Sequence, residues 1–230
     1  MLFLHGYLSS KEAFLAQINY FSRFYKVTAI DFLGFGQSPP LTQPFDVGDY
    51  AEWLYAVIEQ LHLQKPHVIA HSFGCRVAIK LAKTHGQVLD KLVLTGAAGV
   101  RFPKGIGYKI KVATYRLCKK IAPRFAEKHF GSKEYRTLSP VMKESYKKIV
   151  NEDLREVARQ VQNPVLLVQG IGDKVTPVKE ARAYLEAFPR ASLRLIEGEH
   201  FAFAQRPLVF NLTVEEFLQD DAFENNFSAR

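Results

Sequence analysis

The sequence predicts an α/β protein with a mostly parallel sheet of about six strands and helices on both faces. Two observations carry this prediction. Short apolar runs alternate with longer segments whose apolar residues recur every three or four positions, which is the rhythm of parallel strand–helix units. One block, residues 101–160, keeps the helical period throughout and has no strand signal. We therefore predict an α/β core formed by residues 1–100 and 161–230, with a basic helical insertion at 101–160 between the fourth and fifth strands.

Each predicted strand is a short apolar run that ends at glycine or polar residues, and each predicted helix has one apolar side. The strands are predicted at residues 2–4, 26–31, 66–70, 91–95, 164–169 and 192–197. The core helices are predicted at residues 11–24, 46–61, 73–85 and 178–188, and from Pro207 onwards. Asp46 or Asp49 is predicted to cap the second helix, and the polar tail from Asp220 is expected to fray.

The composition excludes several classes of protein. With 230 residues, of which 47% are hydrophobic and 23% charged, the chain is long enough for one domain with a core. Two cysteines, Cys75 and Cys118, exclude a disulfide scaffold and a four-cysteine zinc site. No apolar run reaches about 18 residues, which excludes a transmembrane helix. The N-terminus lacks the basic flank and the length of a signal peptide, so we expect a cytoplasmic protein.

The net charge of +8 is concentrated in one segment. Residues 101–150 hold 14 of the 31 lysines and arginines but only three acids, Glu127, Glu134 and Glu144. Such a segment can contact nucleic acid, a membrane surface or an anionic ligand, or it can be a solvated helical face. No nucleic-acid-reading motif accompanies it, so we do not expect nucleic acid as a partner. An anionic substrate and contact of residues 104–124 with a membrane surface stay open, the membrane being the less favoured.

The most informative stretch is Ala70-His71-Ser72-Phe73-Gly74, which joins an apolar strand to an amphipathic helix. It matches the pattern of a nucleophile elbow, a sharp strand-to-helix turn centred on serine. The small residues at 70 and 74 let the chain turn tightly enough to lift Ser72 Oγ clear of the sheet. The helix that follows points its N-terminus at the serine, where free N–H groups favour negative charge.

With this elbow and four further motifs in chain order, the sequence resembles the α/β-hydrolase superfamily over roughly residues 1–100 and 161–219. The motifs are the HG turn Leu4-His5-Gly6-Tyr7, the loop Asp31-Phe32-Leu33-Gly34-Phe35-Gly36-Gln37-Ser38, the acid loop Gly170-Ile171-Gly172-Asp173-Lys174-Val175-Thr176-Pro177 and the histidine loop Gly198-Glu199-His200-Phe201. Ala70 and Cys75 depart from the family pattern, which favours glycine at both positions. The first two strands of the family have no counterpart, which predicts that the strand at 26–31 lies at an exposed sheet edge.

The resemblance implies a role for each motif. Ser72 is the expected nucleophile, His200 the expected base and Asp173 the acid that orients it. The backbone N–H groups of Tyr7 and Phe73 are expected to form the oxyanion hole. The competing interpretations are a helix-capping serine, a loop histidine and a turn aspartate.

The other histidines are expected to be structural or on the surface. His5 belongs to the HG turn, and His71 is expected to point away from the cleft side of the elbow. Those expected on the surface are His62, His67, His85 and His129. No two histidines have metal-ligand spacing, so we expect neither a metal nor a cofactor. Asp31 is expected to be a structural loop residue.

The function expected from the resemblance is a serine hydrolase that cleaves a small or medium ester-type substrate through an acyl-enzyme on Ser72. A carbon–carbon bond hydrolase or lyase with the same triad, and a non-catalytic ligand-binding member of the fold, remain alternatives because the fold hosts many chemistries. In this family the helical insertion is a cap that shapes the pocket. Candidate lining residues are Phe102, Tyr108, Val112 and Tyr115. The sequence sets neither the substrate nor the oligomeric state.

Overall fold

The computed structural model describes residues 1–103, 135 and 137–220 of the chain. Six strands in this part form one sheet, and every neighbouring pair is parallel. They are β1 (Leu2–Leu4), β2 (Thr28–Ile30), β3 (Val68–His71), β4 (Leu92–Thr95), β5 (Val165–Gly170) and β6 (Ala191–Ile196). Their order across the sheet is β2-β1-β3-β4-β5-β6. The predicted α/β class and the parallel sheet are therefore confirmed.

Helices connect the strands in the described part of the chain. They are α1 (Leu15–Phe21), α2 (Val47–Gln60), α3 (Phe73–His85), α4 (Pro140–Asn151), α5 (Arg155–Ala158), α6 (Val178–Ala187), α7 (Ala202–Gln205) and α8 (Pro207–Gln219). Short 3₁₀ turns occupy Lys11–Phe14 and Gly86–Val88. None of these helices has both the length and the apolar character needed to cross a membrane.

Both faces of the four inner strands, β1, β3, β4 and β5, are buried, as is typical of a parallel sheet. Successive strand residues alternate between two apolar layers, because side chains along a strand point to opposite faces. One layer contains Leu2, Leu4, Val68, Ala70, Leu92, Leu94, Val165 and Leu167, together with residues of α2, α3 and α6. The other contains Phe3, Ile69, Val93, Leu166 and Val168, together with residues of α1 and α8. The near-continuous apolar character of the central strands follows from this double burial.

The edge of the sheet differs from the sequence prediction in length. The predicted strand at 26–31 is observed only at Thr28–Ile30. The reason is that β2 pairs with β1 alone, and β1 offers three partners, from Leu2↔Thr28 to Leu4↔Ile30. The predicted edge position of this strand is observed.

Two helix starts show what fixes the ends of these elements. The predicted helix at 11–24 is split into a 3₁₀ turn and the shorter α1, and the N–H of Lys11 donates to Asp31 Oδ1 at 2.8 Å. Asp46, rather than Asp49, is the N-cap of α2. Its side chain accepts from Asp49 N at 3.0 Å while Asp49 Oδ2 accepts from Asp46 N at 2.7 Å, which forms a capping box.

Much of the predicted cap lies outside the described residues. The apolar residues that give this block its helical period lie there, namely Ile106, Ile110, Ala113, Leu117 and Ile121. So do the lining candidates Tyr108, Val112 and Tyr115, as well as His129 and Cys118. Phe102, the fourth candidate, is half-buried and packs against the first apolar layer. The proposed bounds of the cap therefore stay a prediction.

The segment that leads back from this region to β5 is fastened to the elbow helix by Arg76. The Arg76 side chain belongs to α3 and is 7% exposed. Its Nη1 donates to the carbonyl oxygens of Ile149 at 2.8 Å and Glu152 at 3.0 Å, at the C-terminal end of α4. Because the last carbonyls of a helix lack intrahelical partners and carry partial negative charge, a buried cation is well placed there. Beside it, Leu154 N donates to Gly99 O at 2.8 Å, which ties the outgoing and returning chains together.

We predict that Arg76→Met lowers the free energy of unfolding by about 3 kcal/mol, because it leaves two buried carbonyl groups without their charged donor. Lys80→Met is the matched control on the same helix. Lys80 pairs with the Glu152 carboxylate at a partly exposed position, so its loss is expected to cost less than about 1 kcal/mol. Urea unfolding of both variants measures the difference. Equal costs would contradict the role given to Arg76.

Candidate active site

The residues identified from the sequence converge at one end of the sheet, where the strands have their carboxyl ends. Ser72 directly follows β3, Asp173 lies in the loop after β5, and His200 lies in the loop after β6. Tyr7 lies in the turn after β1. Because all six strands are parallel, their carboxyl ends and the loops that follow them lie at the same end of the sheet. Open α/β sheets bind ligands at this end.

Ser72 occupies a strained backbone conformation. Its φ is +50° and its ψ is −104°, a region that non-glycine residues rarely adopt. The N–H of Ser72 donates to Thr95 O at 3.1 Å, which holds the turn against the end of β4. Ser72 is the N-cap residue of α3, but its side chain makes no capping hydrogen bond. Helix capping therefore does not explain this serine.

Gly74, two residues after Ser72, allows the turn. A Cβ built at Gly74 would lie 2.4 Å from the carbonyl oxygen of Leu4 and 2.8 Å from that of His5. Both distances are far shorter than any tolerated contact, so no larger side chain fits between α3 and the end of β1. The absence of a side chain at Gly74 lets the elbow approach the turn that carries Tyr7.

The side chains of Asp173 and His200 are hydrogen-bonded, with 2.8 Å between Asp173 Oδ2 and His200 Nδ1. The Asp173 side chain is fully buried and the His200 side chain is 14% exposed. Burial alone would raise the pKa of Asp173, but hydrogen bonds from His200 and Thr176 hold that pKa well below its usual range. The carboxylate is thus ionised at neutral pH and only accepts. Nδ1 of His200 therefore carries a proton, and in the neutral imidazole Nε2 is the acceptor.

Two backbone N–H groups near Ser72 have no acceptor among the described residues. One belongs to Phe73, the first residue of α3, whose N–H has no intrahelical partner. The other belongs to Tyr7. The Tyr7 hydroxyl donates to Met142 O at 3.3 Å in α4, and its ring packs edge-on against Phe73 at 5.6 Å between centroids. Free backbone donors in such a place can stabilise a developing oxyanion.

The described residues bring Asp173 and His200 together but leave Ser72 Oγ without a hydrogen bond. His71, predicted to point away from the cleft side of the elbow, is 1% exposed and lies beneath the His200 loop. Its Nε2–H donates to the backbone oxygen of His200 at 3.0 Å, and the two rings lie 4.7 Å apart. Burial, and then the nearby His200, lower the pKa of His71 to about 3, so this ring is neutral.

The other predicted loop and surface residues are placed as follows. Asp31 accepts from Lys11 N, Lys11 Nζ and Gln37 N at 2.8 to 2.9 Å, which fastens two loops together. His5 is fully buried and accepts from Phe32 N at 3.1 Å. His62 is exposed, whereas His67 and His85 are half-buried. In the described part of the chain, no group of three or more His, Cys, Asp or Glu side chains is arranged to hold a metal ion.

Two residues around Asp173 received no role in the sequence analysis. Thr176 Oγ1 donates to Asp173 Oδ2 at 2.8 Å, and Gln169 Nε2 donates to the same oxygen at 2.9 Å. Thr176 belongs to the acid loop motif, so its position was a usable signal. Gln169 is the next-to-last residue of an apolar strand, and its polarity at a buried position was the only signal.

We predict that Gly74→Ala lowers the free energy of unfolding by about 3 kcal/mol, because the added methyl group forces α3 away from the Leu4 carbonyl. Gly48→Ala is the control. Gly48 lies in the first turn of α2, where the nearest atom to an added Cβ is the Asp46 carboxylate at 3.1 Å. Alanine favours a helix over glycine, so this variant is expected to stay within about 1 kcal/mol of the wild type. Thermal unfolding of both variants measures the contrast, and a wild-type Tm for Gly74→Ala would contradict the argument.

Comparison with known proteins bears on the family. A family model described as the alpha/beta hydrolase fold matches residues 1–112. A probable lysophospholipase of Arabidopsis thaliana, BODYGUARD 3, is 32% identical over 130 residues, which cover 54% of this chain and 25% of that protein. The AB hydrolase superfamily protein YisY of Bacillus subtilis is 25% identical over 242 residues, which cover 94% of this chain and 90% of that protein. The chain thus spans about a quarter of the plant relative.

Solved structures share the fold. An esterase from Exiguobacterium antarcticum has a TM-score of 0.76 at 23% identity and covers 95% of this chain and 91% of its own. A meta-cleavage product hydrolase from Pseudomonas fluorescens has a TM-score of 0.71 at 21% identity, with 94% and 89% covered. At these identities the likeness concerns the fold. The family match over residues 1–112, the six-stranded parallel sheet and these structures agree, and the chain has the fold of the α/β-hydrolase superfamily.

Proposed function

We propose that the protein is a serine hydrolase that cleaves a small or medium carboxylic ester through an acyl-enzyme on Ser72. The observation that carries the proposal is the hydrogen bond between the buried Asp173 carboxylate and His200 Nδ1. It lies at the same carboxyl end of the sheet as Ser72 in its strained turn. A serine hydroxyl is a weak nucleophile and needs a base that is itself held in place. The Asp173–His200 pair is such a base.

In the proposed mechanism, Ser72 Oγ attacks the ester carbonyl carbon while its proton moves to His200 Nε2. The ionised Asp173 stabilises the imidazolium that forms, and the N–H groups of Tyr7 and Phe73 donate to the oxyanion. Collapse of the tetrahedral intermediate breaks the bond to the leaving alkoxide, which takes the proton from His200. A water molecule then repeats the sequence on the acyl-enzyme, with His200 as base, and releases the acid and free Ser72.

The ester class is favoured by the names of similar proteins, which include an esterase and a probable lysophospholipase. Carbon–carbon bond cleavage by the same three residues is the alternative, as one structure with this fold is a meta-cleavage product hydrolase. The 14 lysines and arginines of residues 101–150 favour an anionic substrate. A cytoplasmic location and contact with a membrane surface stay predictions.

We predict that a fluorophosphonate probe labels the protein once, and that Ser72→Ala abolishes this labelling, because only an activated serine with an oxyanion hole reacts. Asp173→Asn is expected to reduce the labelling rate by roughly 10³- to 10⁴-fold, since the amide favours the wrong imidazole tautomer. Intact-mass spectrometry over time measures both effects.

Ser192→Ala, on the edge strand β6 away from the elbow, is the control and is expected to label like the wild type. Labelling of Ser72→Ala at the wild-type rate would overturn the proposed nucleophile. A folded wild type that stays unlabelled would favour a non-catalytic binding protein.

We predict that the enzyme prefers an anionic acyl group over a neutral one of equal length. The 4-nitrophenyl esters of adipate and hexanoate differ in one terminal carboxylate and share six acyl carbons. The ratio of their kcat/KM values is expected to favour adipate at low ionic strength and to fall as salt is added, because screening weakens attraction by the basic segment. Preference for hexanoate at every ionic strength would remove the anionic part of the proposal.

A further inference from the structure

We propose that Gln169 is a positioning residue of this site: its side-chain amide fixes the Asp173 carboxylate and thereby the orientation of His200. The inference rests on the proposed function, because it assigns a role relative to the proposed acid and base. It adds a residue outside all the motifs that carry the family resemblance.

The location of Gln169 needs an explanation. It lies on β5 one residue before the strand ends, and it is 1% exposed. The preceding strand residues are apolar and belong to the two core layers. A buried amide costs free energy unless its polar atoms are paired, so a glutamine at this position requires partners.

The two protons of the Gln169 amide have two close acceptors on the acid loop, and the backbone oxygen of Gly170 lies farther away, at 3.5 Å. Nε2 donates to Asp173 Oδ2 at 2.9 Å and to the backbone oxygen of Thr176 at 2.8 Å. One bond anchors the amide to the loop backbone, and the other directs it at the carboxylate. The strand, which is rigid in the sheet, thus reaches the acid through a side chain that is held at its far end.

The Asp173 carboxylate is consequently held from several sides. Oδ2 accepts from Gln169 Nε2, Thr176 Oγ1 and His200 Nδ1, all between 2.8 and 2.9 Å. Oδ1 accepts from the N–H groups of Val175 at 2.8 Å and Thr176 at 3.0 Å. Rotation about the bond to the carboxyl group would break most of these contacts. Among the donors to Oδ2 in the described part of the chain, only the Gln169 amide comes from a sheet strand.

Gln169 and His200 compete for the same oxygen, which gives the residue an electrostatic effect besides a geometric one. The amide directs positive N–H density at Oδ2 and so draws on charge that would otherwise stabilise the His200 imidazolium. Among the described residues, the titratable groups seen to act on Asp173 are His200, the neutral His71 and Glu180. Burial raises the pKa of Glu180 to about 7, and Arg76 opposes this shift. None of these groups takes the place of the amide when Gln169 is changed.

The test compares the pH profile of ester hydrolysis in wild type and Gln169→Met, which keeps the length of the side chain and removes the donor. We expect kcat to fall by roughly tenfold, the size of one hydrogen bond to a charged group, with KM little changed. We also expect the acidic limb of the kcat/KM profile to move to higher pH, because the imidazolium gains stabilisation when Oδ2 loses a competing donor.

Gln17→Met is the matched control. Gln17 is fully buried in α1, and its Nε2 donates to the backbone oxygen of Phe203 at 2.8 Å. This variant loses a buried hydrogen bond donated by a side-chain amide, as Gln169→Met does. We expect it to have a lower Tm and an unchanged acidic limb. A shift of the limb in both variants would mean that the effect is general to loss of a buried amide, and would overturn the inference.

Gln169→Glu is the second variant, in case Gln169→Met does not fold. It keeps the shape of the side chain and, when ionised, places a second negative charge beside Asp173 that stabilises the imidazolium, so its acidic limb is expected to move further than that of Gln169→Met. A folded Gln169 variant with the wild-type pH profile and kcat would reduce Gln169 to a structural role. That result leaves labelling of Ser72 intact, whereas failure of the proposed function appears as labelling that survives in Ser72→Ala.

Discussion

The close approach between the start of α3 and the end of β1 is the constraint on which the site depends. At Gly74 the helix comes so near the carbonyl oxygens of Leu4 and His5 that a Cβ has no room. This contact sets the distance between the elbow that carries Ser72 and the turn that carries Tyr7. The strain at Ser72 persists because the surrounding chain holds it from both sides, through Gly74 against β1 and through the N–H of Ser72 against β4.

The other side of the site, which contains Asp173 and His200, is organised by hydrogen bonds rather than by close packing. Asp173 is buried and ionised, which is tolerable only because its oxygens accept from loop N–H groups, Thr176, Gln169 and His200. His71 connects the elbow side of the site with the acid side. It is the last residue of β3, and its Nε2–H donates to the backbone oxygen of His200. A change of register in β3 would therefore disturb the proposed base as well as the proposed nucleophile.

The sequence was sufficient for features that depend on local pattern. Apolar runs located the central strands to within one or two residues, since burial on both faces leaves little room for polar residues. The elbow helix α3 was predicted with its observed bounds, because a sharp motif starts it. The length of β2 was not predictable from its own residues, as it is set by the three-residue partner strand β1. The triad candidates came from resemblance, and the structure supplies the Asp173–His200 contact that resemblance alone cannot give.

The residues that the sequence could not assign share one property: their partners are distant along the chain or belong to the backbone. Arg76 binds carbonyl groups more than 70 residues away, and a backbone acceptor leaves no trace in side-chain identity. Its position has a consequence for the site, because α3 begins at the elbow and Arg76 lies one turn further on. The segment that returns from the basic region is thereby fixed to the helix that orients Ser72. We expect displacement of α4 to reach the proposed nucleophile along one helical turn, and to reach the turn that carries a proposed oxyanion donor through the Tyr7 hydroxyl on Met142. Two contacts of different chemistry thus couple the segment leading back to β5 with the proposed nucleophile and with a proposed oxyanion donor.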